Sequence, residues 1–198
     1  MEPLPEVHLS ALARPFLHWL ALDDAPDHFD LDAPYQRGSV WTVEQRRALI
    51  KSLYMGVPVG AVIVSKLPFR RGTQYAYRIV DGKQRIEAIR SWVNDEFDVP
   101  GWWFAPEYIE RPGDEVKWSD LTSRGHRRFE IGTQLAGLEF DAENEFLGFG
   151  PNGKRLWRQR SDDEILRVEA ELYLLVNGGG TAQTDTNMAR AAEVARGQ

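Results

Sequence analysis

Five consecutive residues offer the clearest chemistry in this chain: Asp81, Gly82, Lys83, Gln84 and Arg85. Tyr75, Tyr77 and Ile79 alternate with Ala76, Arg78 and Val80 before them, a period of two that predicts a strand. From Gln84 the period lengthens, and Ile86, Ile89, Val93 and Phe97 fall on one helical face. Gly82 gives the junction its backbone freedom. A helix start offers unpaired N–H groups and a positive dipole end, so cations beside it form a phosphate cradle. The same five residues also suit an ordinary strand–helix corner with solvated charges, and both readings stand at this level.

Other elements must hold this corner in place. Thr42 and Gln45 form a capping-box pattern that opens a helix through Leu49, Ile50, Leu53 and Tyr54, which should stop at Gly56 with Pro58 beyond. Residues 61–66 read as a buried strand, and 68–73 as a loop with Arg70 and Arg71 at its tip. Leu9, Leu12, Phe16, Leu17, Trp19 and Leu20 suggest helical turns within 9–22, limited by Pro15. Phe29-Asp30-Leu31 is a candidate short strand. The aromatic stretch 95–112, with Phe97, Trp102, Trp103, Phe104 and Tyr108, reads as irregular structure packed on the core, with base stacking as its functional alternative. A short helix through Phe129 and a strand over 135–140 follow.

Asn152-Gly153 marks the turn of a hairpin. Lys154, Arg155, Trp157, Arg158 and Arg160 make its second half the most basic patch of the chain, able to contact nucleic acid or to stand as a solvated face. Ser161 and Glu164 form a second capping box, opening a helix through Ile165, Leu166, Val168, Leu172 and Leu175. It should end at Asn177-Gly178-Gly179-Gly180, before a last helix over Met188, Ala191, Ala192 and Ala195.

The run Ile79-Val80-Asp81-Gly82-Lys83-Gln84-Arg85 resembles the DGQQR motif of the GmrSD-type restriction family, with Lys83 where that family usually has Gln. The resemblance extends upstream to Pro34, Tyr35, Gln36, Arg37 and Trp41, which are similar to that family's Pro-x-Tyr-Gln-Arg-x-x-x-Trp pattern with one spacing shortened. It extends downstream to Tyr173, Asn177, Gly179 and Gly180, similar to its Phe-x-x-x-Asn-x-Gly-Gly segment. Leu175 stands where an Arg is common. Jointly the three motifs cover about residues 10–195.

The resemblance implies an α/β (α+β) fold of ParB/sulfiredoxin-like type, a small mixed sheet flanked by helices with a C-terminal helical part. It is expected as one domain over 1–198, with a core of about 29–140, a hairpin at 145–160 and C-terminal helices at 161–196. The resemblance also implies a nucleotide-binding and hydrolysing pocket. Catalysis would fall to Asp81, Gln84 and Arg85, and phosphate or nucleotide binding to Tyr35, Gln36, Arg37, Gly82, Lys83 and Asn177. Arg37 and Arg85 suit bidentate phosphate contacts, the glutamines can orient water, and Asp81 can hold Mg²⁺ through water. Against this stands a bracing ion-pair network of Arg37, Asp81 and Arg85 with no ligand. The expected activity is Mg²⁺-dependent nucleoside-triphosphate hydrolysis linked to DNA restriction, anti-phage defence or a phage counterpart. Its rivals are a ParB-like nuclease and a non-catalytic regulator that binds a nucleotide or a nuclease-bearing partner. Longer relatives carry a second, His-based nuclease domain; within these residues, cleavage by that route is expected only with a partner that supplies it.

Bulk composition narrows the field. A net charge of −6 argues against broad nucleic-acid affinity, which grows with the number of phosphates neutralised. The absence of cysteine removes disulfides, thiol catalysis and Cys-ligated zinc, and the four His show no metal-like pairing. There is no Walker-type loop or Gly-x-Ser-x-Gly elbow. No signal-peptide pattern or spanning apolar run is present, so a cytoplasmic protein without membrane contact is expected, self-association remaining open.

Overall fold

The structure, a computed structural model, describes residues 9–11, 29–36, 38, 41–67, 75–133, 135–178 and 185–197. Arg37, most of the 9–22 segment, the 68–73 loop, Gly179 and Gly180 therefore lie outside the described residues. The fold is α+β. A five-stranded mixed sheet runs β1 (Leu9–Ala11), β7 (Gly137–Asp141), β3 (Val62–Lys66), β4 (Tyr77–Asp81), β2 (Phe29–Asp30) in spatial order. The outer pair β1–β7 and the central pair β3–β4 are antiparallel; β3–β7 and β2–β4 are parallel.

Helices cover both faces. Helices α1 (Val43–Met55), α2 (Lys83–Val93) and α3 (Ser123–Gly132) enclose an apolar core with Val62, Val64 and Ile79. Trp92, Phe104 and Phe129 fill it with edge-on and offset ring contacts. On the opposite face, α4 (Asp162–Gly178) and α5 (Asp185–Ala195) cover Ile63, Val80 and Phe140. Short strands β5 (Val99–Pro100) and β6 (Glu115–Val116) pair beside the first core. Strands β8 (Asn144–Phe149) and β9 (Arg155–Gln159) pair only with each other.

The local signals explain the boundaries. Thr42 and Gln45 form the capping box of α1, and Gly56 closes the helix in the left-handed region at φ 73°. Ser161 and Glu164 exchange the same reciprocal bonds at the start of α4.

Three expectations need correction. Leu9–Ala11 is a strand, because it pairs with Phe140, Glu139 and Leu138 of β7 rather than coiling. Helix α2 ends at Val93, which is exposed, and Trp92 takes the inward position. Phe97 reaches the core from beyond a turn at Asp95. Trp102 does not pack on the core but is 78% exposed.

One irregularity decides how the central corner is aimed. Ile63 pairs with Asp81 and Val64 with Ile79, so Val80 is an extra, bulged residue in β4. Paired residues share a face. Asp81 therefore sides with Ile63 and α4, whereas strict alternation from Ile79 would have turned it toward the α1–α2 core.

Candidate nucleotide cleft

A cleft of about 300 Å³ opens at the junction of β4 and α2. Gln36, Asp81, Gly82, Lys83, Gln84, Arg85 and Asn177 all line it, together with Trp41, Val80 and Tyr173. Three distant stretches of chain thus reach one place. Its size falls at the low end of small-molecule clefts, about 300–1,000 Å³.

Gly82 makes the corner sharp enough. It sits at φ 98° as the N-cap of α2, with no side chain capping the helix. A Cβ there would lie 2.9 Å from Val62 Cγ2 and 3.3 Å from Val62 Cα, so only glycine fits. The helix consequently presents its positive end to the cleft without a competing side-chain acceptor.

Arg85 turns back across the corner. Its Nη2 donates to Asp81 Oδ2 at 2.7 Å and to the Ala61 carbonyl at 3.0 Å, and its Nη1 to Val59 O at 3.4 Å. The guanidinium therefore staples α2 to the approach of β3. Asp81 has one oxygen committed to this pair. Lys83 Nζ bonds Asp32 at 3.1 Å and approaches Glu87 at 3.9 Å. Gln84 accepts from Trp41 N at 3.1 Å and donates to Gly38 O and Glu87, tying Gly38 and Trp41 to the helix.

Gln36 closes the cleft from below. Its Nε2 donates to the carbonyls of Ile79 and Val80, at 2.5 and 3.0 Å, which fixes the bulge and settles the amide's orientation. Its Oε1 is buried with no hydrogen-bond partner. Asn177 donates back to Tyr173 O at 2.8 Å.

Tyr35 is 1% exposed and does not line the cleft. Its hydroxyl faces Glu169 Oε2 at 3.4 Å, and Glu169 also takes Arg78 Nη1 at 2.9 Å, while Arg78 Nε bonds Asp30. Burial raises the Glu169 carboxyl above its ordinary range, against the pull of Arg78. Burial and the neighbouring Glu169 push the Tyr35 phenol up as well. Burial works against the Arg78 charge, yet Glu169 and Asp30 outweigh it and hold the guanidinium charged. Sequence reasoning missed this network, and it left Trp41 and Tyr173 off the site although both stood in its motifs.

The hairpin residues Lys154, Arg155, Trp157 and Arg158 do not line the cleft. Arg158 is held by Glu145 and Glu164, and Arg160 is 5% exposed, donating to the carbonyls of Ala142 and Asn144. The bonds from Ser161 N and Arg158 lower the Glu164 carboxyl to about 2. Much of the expected basic patch is thus neutralised or buried.

Among the described residues, no group of three or more His, Cys, Asp or Glu gathers to hold a metal ion. A single carboxylate, Asp81, suits a magnesium ion that arrives on phosphates rather than one held by protein alone.

Fold and cleft together define an α+β domain with an open cleft at a strand–helix corner. The family model of the GmrSD restriction endonuclease N-terminal domain matches residues 23–173, well over half the chain. The chain belongs to that family, and its role is related to restriction endonucleases. No curated protein and no solved structure matches it. No described helix is long and apolar enough to cross a membrane.

Proposed function

We propose that the cleft binds a nucleoside triphosphate and, with Mg²⁺ carried on the phosphates, hydrolyses it in the service of DNA restriction, anti-phage defence or a phage counterpart. The observation that carries this reading is the convergence of Gln36, Gly82, Lys83, Gln84, Arg85 and Asn177 on one cleft at the uncapped start of α2. A helix N-terminus with adjacent cations suits phosphate, and the flat indole of Trp41 suits a base. Asp81 and Gln84 are the groups that would orient an attacking water. Phosphoryl transfer needs positioning and charge neutralisation more than a protein nucleophile.

A second reading, binding without turnover, is favoured by one feature. Asp81 already serves Arg85, so freeing it for water or metal means loosening the staple to Ala61. Such a domain would sense a nucleotide and pass the signal to a nuclease-bearing partner.

Calorimetry against each of the four nucleoside triphosphates with Mg²⁺, with phosphate release followed in parallel, tests both. Binding weakened at least tenfold by Lys83→Ala and by Arg37→Ala, in proteins with unchanged circular dichroism, supports the cleft. Phosphate release selects the enzyme, and its absence selects the sensor. No binding to any of the four leaves the motif as a brace and removes the proposal.

A further inference from the structure

Two surface features stand apart from the cleft, and their chemistry is complementary. The first is the β8–β9 hairpin. Among the described residues it joins no third strand, and an isolated two-stranded hairpin is at best marginal in water. Phe146 meets Phe149 edge-on and Trp157 at a tilt, with ring centroids 5.3 Å apart in each pair, so the ribbon is held by its own aromatic side chains. Yet Phe149 is 67% exposed and Trp157 49%, and Leu147, bulged opposite Leu156, is exposed with it. A contiguous apolar surface of this kind marks a place of association. Lys154 and Arg155 cap it at the turn. With Arg158 and Arg160 already engaged, two cations give few phosphate contacts for nucleic acid, whereas the apolar content suits protein.

The second feature is a groove of about 620 Å³ in the 100–115 segment. Trp102, Phe104, Pro106 and Ile109 line it, and Asp114 and Glu115 contribute carboxylates. Gly101 forms part of its wall because it lies flush against Gly113, whose carbonyl oxygen a Cβ would strike. The segment carries Glu107, Glu110 and Asp114 against Arg111, with Glu115 paired to Arg47, while Lys154 and Arg155 are the hairpin's cations once Arg158 and Arg160 are engaged. One surface is a basic aromatic projection and the other an acidic apolar recess.

We propose that the hairpin of one copy docks in the 100–115 groove of a second copy, with Phe149 and Trp157 against Trp102 and the Lys154–Arg155 turn near Asp114. The contact joins two different surfaces, so it is heterologous, and copies add head to tail into a ring or an open chain. It is independent of whether the cleft binds a nucleotide.

Sedimentation velocity of the full chain, across micromolar to hundred-micromolar concentration at low and high salt, tests this. The expected result is a mass that rises with concentration and falls back with salt. Phe149→Ser with Trp157→Ser removes the hairpin surface, and Trp102→Ala with Asp114→Arg removes the groove. Each double variant should be monomeric alone, and their mixture should form a complex of two chains and no larger. Should the hairpin variant lose its fold by circular dichroism, Arg155→Glu replaces it. A monomer at every concentration, association that survives both variants, or no complex on mixing overturns the proposal. So does a monomeric protein whose hairpin variant loses affinity for a labelled DNA oligonucleotide, which would give the hairpin to nucleic acid.

Discussion

The two faces of the central sheet are stabilised by different means. Toward α1 and α2, Val62, Val64 and Ile79 share one apolar cluster with Ile50, Leu53, Ile86, Ile89 and Trp92. Toward α4, the half-buried Arg78 of the sheet meets the fully buried Glu169 of the helix, and Tyr35 and Asp30 complete the network. An apolar face tolerates many arrangements of suitable volume. A buried ion pair tolerates few, because any shift leaves a charge without its partner. The cleft opens at the end of the second face, where Tyr173 and Asn177 approach Asp81. The more exacting face is the one that carries the site.

The comparison can be broken from either side. Trp92→Ala, in the apolar face, should cost the most, about 3–5 kcal/mol in urea unfolding, since several rings pack on that indole. Glu169→Ala should cost about 3 kcal/mol by leaving Arg78 with Asp30 alone, and Glu169→Gln distinctly less because the amide oxygen still accepts. If the two substitutions cost the same, charge and not hydrogen bonding holds that face.

The raised Glu169 carboxyl adds a pH signature. The folded state holds that proton more tightly than the unfolded chain, so this group's contribution falls as pH rises from about 4.5 through its folded value, then levels off. The wild-type minus Glu169→Gln difference in unfolding free energy should show that downward slope. A flat or rising difference would mean that Arg78 and not burial dominates.

Smaller effects sharpen the contrast. Gly82→Ala should destabilise by about 1–3 kcal/mol through strain and the contact with Val62, and should weaken nucleotide binding as well. Thr42→Ala should cost about 1 kcal/mol through the lost cap of α1, with nucleotide affinity unchanged in the same calorimetry.

Legibility followed the range of the interaction. The caps at Thr42 and Ser161, the stop at Gly56 and the change of period at Gly82 are decided within a few residues, and they stood in the sequence. Leu9–Ala11 takes its conformation from β7, about 130 residues away, so its apolar spacing was misleading. Glu169 sits in a helix that reads as amphipathic, and nothing local tells a buried acid from a solvated one. Likewise, the charges of Arg158 and Arg160 were visible, but Glu145, Glu164 and the Ala142 carbonyl that occupy them were not. Of the residues the motifs indicated, Gln36, Asp81, Gly82, Lys83, Gln84, Arg85 and Asn177 line the cleft, while Tyr35 does not. The motifs did not indicate that Arg85 would be spent on a staple.

The bulge at Val80 makes chain length itself a determinant of this site. Evening out the pleat at the same length would carry Asp81 round to the α1–α2 core, away from Tyr173 and Asn177, whereas losing the extra residue together with the bulge would keep it opposite Ile63. Adding or removing a residue at the 151–153 turn would only lengthen or trim a surface ribbon. In a lineage that drifts by insertion and deletion, the strand before Gly82 is therefore under a counting constraint, whatever its individual side chains are allowed to become.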